Sequence, residues 1–159
     1  MNSIPLYLKI IICVILCISL GAGSGFISGS PLSDWYQSLN KPFFQPPPWI
    51  FGPAWTLLYS LMGIAVAFIW DISPDSPLKT KAIRLFIFQF VVNMIWSPVF
   101  FGLQMPTVAL VVIVLLWALI LSTIIQFKRL NKIAGYLLLP YLAWVSFATI
   151  LNAAIVYLN

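Results

Sequence analysis

Histidine is absent from this chain, and three acids stand against eight lysines and arginines. Without imidazole there is no His-based catalytic triad, no histidine metal site and no histidine-ligated haem. Charged residues make up 7% of the chain, where an ordinary globular domain carries about 25%. They all lie at or beyond the ends of the apolar runs, so the embedded ionisable residue that marks pumps and ion-coupled transporters is missing. There is no glycine-rich phosphate loop and no paired thiol motif. No internal repeat is present either, which weakens an inverted-repeat transporter reading. Cys13 and Cys17 sit four apart inside the first apolar run and read as small buried hydrophobes. A two-thiol metal site with no histidine nearby would be unusual, so neither a metal site nor a disulfide framework is expected.

What the chain does have is hydrophobic length. Apolar residues form 62% of it, and uncharged runs extend from Ile10 to Ser33, Pro42 to Trp70, Leu85 to Phe127 and Ile133 to Asn159. A helix needs about 20 apolar residues to cross a hydrocarbon core of roughly 30 Å. The third run holds two crossings, broken at "GLQMP" (Gly102–Pro106). The reading is an all-α membrane protein, one transmembrane domain over residues 1–159. It is a five-transmembrane-helix bundle with spans at about 6–27, 50–70, 82–103, 106–127 and 134–157 and a long structured first loop at 28–48. The formal charge of +5 then reads as topology. Lys9, Lys79, Lys81, Arg84, Lys128, Arg129 and Lys132 fall on one side and Lys41 alone on the other. The positive-inside rule predicts N-terminus in and C-terminus out, with some attraction to anionic lipid head groups. Nothing interleaves basic and aromatic residues on a soluble face, so nucleic acid is not an expected partner. The first run, with Lys9 ahead of an apolar stretch ending in "GAGSG", also has the outline of a signal peptide; a retained first helix is the expectation.

The stretch "NKPFFQPPPWIFGPAWTLLY" (Asn40–Tyr59) concentrates prolines and aromatics at the mouth of the second span. Proline fixes φ and costs little entropy to order, which suits a shaped lid at a membrane surface. An interfacial aromatic belt is the alternative. Helical spacing puts Trp55, Tyr59 and Met62 on one face of the second span, and Tyr141, Trp144, Ala148 and Asn152 on one face of the fifth. The third span gathers Gln89, Asn93, Trp96, Ser97 and Phe100. These polar groups are either interhelical glue or orienting groups for a ligand. Pro98 denies a partner to the carbonyl of Met94, so a kink is expected there. The fourth span reads as a lipid-facing or packing element. Gly21, Gly25 and Gly29, at four-residue spacing, would admit a helix or a ligand close to the backbone of the first.

Four blocks, "DWYQSLNKPFFQPP", "FGPAWTLLYSLMG", "QFVVNMIWSPVFFG" and "LPYLAWVSFATILN", appear in order between residues 34 and 152. They resemble the translocator protein family, also called tryptophan-rich sensory proteins or peripheral-type benzodiazepine receptors. The resemblance implies a five-helix bundle, a homodimer, that binds porphyrins, sterols and isoquinoline carboxamide-type drugs beneath its first loop. It places Trp55, Trp144, Ala148 and Leu151 in the pocket, with Asn93 and Trp96 from the third span and Trp35, Tyr36 and Pro47 from the loop. Two departures stand out. The sterol-recognition pattern of animal members needs a basic residue after a tyrosine, and Val156–Tyr157–Leu158–Asn159 offers none. The third span has no glycine before Gly102, so a small-residue dimer face is missing there. The short C-terminus suggests a bacterial member, a multi-pass protein of the cell membrane.

The expected function is a membrane receptor, sensor or carrier for porphyrins and similar flat hydrophobic ligands, with no catalytic residue and no cofactor beyond a protoporphyrin-like ligand. The alternative is an enzyme that degrades porphyrin with light and oxygen, for which the resemblance offers Trp55 and Trp144 as the photochemical residues.

Overall fold

Long apolar runs leave the backbone no partner but itself in a bilayer, and helices satisfy every N–H and C=O internally. The computed structural model of the protein describes residues 4–29, 31–72 and 74–159; Ser30 of the first loop, Ser73 of the polar turn and the first three residues of the expected domain lie outside them. The long helices are α1 (Leu6–Ser28), α3 (Phe51–Asp71), α4 (Pro77–Ser97), α5 (Pro106–Leu130) and α7 (Leu139–Leu158). Short helices α2 (Asp34–Ser38) and α6 (Lys132–Leu137) lie in the first loop and directly ahead of α7. With their flanking turns, five segments are long and apolar enough to cross a membrane: Leu6–Ser28, Pro48–Asp71, Pro77–Gly102, Pro106–Leu130 and Lys132–Leu158. The third starts about five residues earlier than the hydropathy suggested, because Pro77 at the first helical position and the Ser76 side chain, which accepts from the Lys79 N–H, open α4 among charged residues.

The spans close into a ring. α1 packs on α3 and α4, α3 on α6 and α7, α7 on α5, and α5 on α4. Two glycines bring α1 and α3 together. A Cβ on Gly63 would stand 2.5 Å from the Cα of Val14, and one on Gly21 would fall inside the Tyr59 ring. The half of the bundle near the charged end is solid. There Met62, Ile69, Phe86, Ile120, Phe127 and Leu138 are buried, and Phe86 stacks on both Phe90 and Phe127. At this end Lys9 pairs with Asp71 at 2.9 Å and Lys79 with Asp75.

Proline shapes two spans. Pro98 ends α4 and starts a π-helical turn, Pro98–Gly102, and the carbonyl of Met94 that it leaves without an i+4 donor accepts instead from the Ser24 hydroxyl of α1 at 2.6 Å. The expected kink is thus a turn stitched to a neighbouring helix. Pro140, read from the sequence as interior to the fifth span, falls in the first turn of α7, after a break at Leu138, where its missing N–H costs nothing.

The first loop is ordered by side chains. Ser33 caps α2 by accepting from the Tyr36 N–H. Tyr36 is buried and packs with Phe100, Ala109, Leu151 and Ile155. Lys41 reaches back to the carbonyls of Gln37 and Leu39 and lies 5.1 Å from the centre of the Tyr36 ring. At its far end, Asn40 exchanges hydrogen bonds with Asn159. The Asn40 N–H donates to Oδ1 of Asn159 and the Asn159 amide donates to the Asn40 carbonyl, both at 2.9 Å.

Candidate functional site

In the half of the bundle beneath the loop the core gives way to a cavity of about 420 Å3. That volume falls in the roughly 300–1,000 Å3 of small-molecule sites. Its walls come from residues one helical turn apart on successive helices: Trp55 and Tyr59 on α3, Asn93 and Trp96 on α4, Trp144 and Ala148 on α7. Aromatic edges and faces interlock around it. Trp55 stacks on Tyr59 with centroids 5.4 Å apart and meets Trp144 edge to face at 6.5 Å. Phe51 closes on Trp144 at 6.0 Å. Trp96 stacks on Phe100 at 5.2 Å. Ala148, small between these rings, leaves the space that a larger side chain would fill.

The floor is polar and bonded from helix to helix, with the buried Gln89 amide nitrogen left without a partner among the described residues. The Tyr59 hydroxyl donates to Oδ1 of Asn93 at 3.0 Å, the Asn93 amide donates to the Tyr141 hydroxyl at 2.7 Å, and that hydroxyl donates to Oε1 of Gln89 at 3.0 Å. This chain runs across α3, α4 and α7. A second one joins α4, α7 and α5: the Trp96 indole N–H donates to Asn152 at 3.2 Å, and the Asn152 amide donates to the Pro106 carbonyl at 2.8 Å. Gln89, Asn93 and Trp96 of the third span thus bond helix to helix, and Asn93 and Trp96 also line the cavity. Aligned donors of this kind reinforce one another in a low dielectric.

The cavity reaches the surface between α1 and α3. Gly25, Phe26, Gly52 and Thr56 line it and are exposed, and a Cβ on Gly25 or Gly52 would touch nothing within 4 Å. The glycines of the first span thus divide. Gly21 receives the Tyr59 ring, whereas Gly25 borders open space; Gly29 adopts a φ of 101°, suited to glycine, at the end of α1.

Of the residues expected at the site, the structure brings Trp55, Asn93, Trp96, Trp144 and Ala148 to the cavity wall. Trp35, Tyr36 and Leu151 pack together in a neighbouring apolar cluster around Phe100, which adjoins the cavity through Trp96 and Phe101. Pro47 is exposed and precedes the 3-10 turn Pro48–Ile50. Ile113 and Leu116 of α5 line the cavity, so the fourth span is a wall as well as a packing element. Their type does not distinguish them from lipid-facing neighbours. Among the described residues no group of three or more His, Cys, Asp or Glu could hold a metal ion.

The model of the TspO/MBR family matches residues 13–158. The chain belongs to the TspO/MBR family. It is therefore an integral, multi-pass membrane protein. It is similar to the tryptophan-rich protein TspO of Chlorobaculum tepidum, 41% identical over 96% of both chains. It is likewise 41% identical to the tryptophan-rich protein TspO of Archaeoglobus fulgidus, over 96% of this chain and 97% of the other. The human translocator protein is 36% identical over 84% of this chain and 80% of its own. The TspO/MBR match reaches all five long helices and takes in every residue that lines the cavity.

Proposed function

We propose that this TspO/MBR protein is a membrane receptor or sensor whose ligand is a flat, hydrophobic molecule of the porphyrin class, held among the aromatic rings of the cavity. The observation that carries the reading is the cavity itself, walled by Trp55, Trp96 and Trp144 over a floor with no charged group among the described residues. Such a site offers faces and edges rather than charges. It selects for planar apolar surface, which at ~25 cal/mol per Å2 supplies several kcal/mol without metal ligation. The word sensory in the name of one relative, the tryptophan-rich sensory protein of Cereibacter sphaeroides, agrees with a sensor role. The protein is read as sitting in a bacterial cell membrane with its lysine-rich end in the cytoplasm.

The test is a tryptophan-fluorescence titration with free-base protoporphyrin, on the protein and on its Trp55→Leu, Trp144→Leu form. Saturable quenching in the parent, weakened about tenfold or more in the variant, is the expected result; two deleted aromatic contacts contribute on the order of 1 kcal/mol each. Equal quenching in both forms would mean that porphyrin partitions into detergent and that the cavity is not its site.

A further inference from the structure

We infer that the outward stripe of α4 is a binding site for one anionic glycerophospholipid, its phosphate held by Lys81 and Arg84 and an acyl chain lying along Phe88, Val91 and Ile95. The site is separate from the cavity and rests on three observations.

The first is which cations are free. Seven basic residues gather at the charged end of the bundle. Lys9 is paired with Asp71. Lys79 is buried, paired with Asp75 and bonded to the Ile72 carbonyl. Lys128 lies 4.5 Å from the centre of the Tyr136 ring. Among the described residues Lys81, Arg84, Arg129 and Lys132 form no ion pair and are exposed; of these, Lys81 and Arg84 sit three apart on one face of a single helix, whereas Arg129 ends α5 and Lys132 opens α6. The second is a groove. Lys81 and Arg84 line a surface groove together with Thr80, Leu85 and Phe88. Asp75, also at its edge, is already neutralised by Lys79, whose hydrogen bond holds its carboxyl below the usual carboxylate range.

The third is length. Below Arg84 the exposed positions of α4 recur at helical spacing as Phe88, Val91 and Ile95. Eleven residues separate Arg84 from Ile95, about 16 Å of helix. One leaflet of hydrocarbon is half of roughly 30 Å. A cationic pair at the level of the head groups, followed by an apolar strip one leaflet deep, matches a single lipid in charge and in reach. Arg suits phosphate because its planar fork presents paired donors.

Native mass spectrometry of the full chain, released from micelles containing dioleoylphosphatidylglycerol or dioleoylphosphatidylcholine, reads the site directly. One phosphatidylglycerol should be retained per chain and phosphatidylcholine should not. Lys81→Gln, Arg84→Gln should lower retention roughly tenfold to thirtyfold, and Phe88→Ala should lower it several-fold with both cations in place. Arg129→Gln, Lys132→Gln removes the same charge from the same end of the bundle and should leave retention unchanged. Equal losses in the two double variants would reduce the effect to net charge and overturn the site. Displacement of the lipid by millimolar inorganic phosphate would overturn the lipid as occupant in favour of a free anion. Unchanged melting of all variants confirms that folding is not the cause.

Discussion

Gly63 and Gly25 show how one residue type carries opposite meanings in this bundle. At Gly63 a methyl group would meet the backbone of Val14, which cannot rotate away. Gly63→Ala should therefore push α1 off α3 and cost about 1–3 kcal/mol, as overpacking does. Gly25→Ala meets nothing and should leave the melting temperature in detergent unchanged, a contrast that one thermal-shift experiment on both variants resolves. Asn93 carries two hydrogen bonds between helices. Asn93→Leu strands the Tyr59 hydroxyl and removes the donor to the Tyr141 hydroxyl, which keeps its bond to Gln89; it should cost about 1–3 kcal/mol, measured by loss of tertiary structure with added denaturing detergent. The spacing of Gln89, Asn93 and Trp96 was plain in the sequence. Their partners were not, because Tyr59, Tyr141 and Asn152 come from helices whose rotation about their axes only the folded bundle fixes.

At the scale of the element, the first loop is held by packing and by hydrogen bonds to α7. Burial pushes the phenol of Tyr36 from its ordinary 10.0 up to about 12. A raised phenol pKa means that the docked loop favours the protonated form. Its contribution to stability is complete below pH 10 and is lost as the pH rises through 12. The ultraviolet absorbance of phenolate, compared between the parent and Tyr36→Phe, should show one tyrosine titrating late, and the variant should keep its loop docked at high pH. Asn40→Ala removes the side-chain bond to the Leu158 carbonyl but keeps both backbone bonds to Asn159, whereas Asn159→Ala removes both of these. Hydrogen exchange of the Asn40 amide should accelerate markedly only in the second. Proline density forecast a shaped loop, and the structure gives it one. That it would lean on α7 and the π-helical turn could not be read from spacing, since Tyr36 and Leu151 are far apart in the chain and neither pattern names the other.

Over the whole molecule, hydropathy made the five spans legible to within a few residues, because the cost of unbonded backbone in hydrocarbon leaves so few alternatives. It said nothing of where the bundle is solid and where it is hollow. That division follows from side-chain size on the inward faces: Phe86, Phe90 and Phe127 fill one half, whereas Gly25 and Ala148 give space to the other. Gly52→Leu, placed on the exposed wall of the cavity where a Cβ is unobstructed, should slow porphyrin association several-fold with little change in melting temperature. Stopped-flow quenching would read it, and an unchanged rate would mean that the gap between α1 and α3 is not the way in.

That gap has a consequence for how affinity is counted. Its rim carries Phe26, 92% exposed on an apolar span, a side chain suited to lipid rather than water. A hydrophobic ligand would then arrive from the membrane phase, where its mole fraction and not its molarity sets occupancy. At fixed total ligand, doubling the lipid-to-protein ratio would halve that mole fraction and double the apparent midpoint of a titration expressed per litre, while the midpoint expressed per lipid stays where it was.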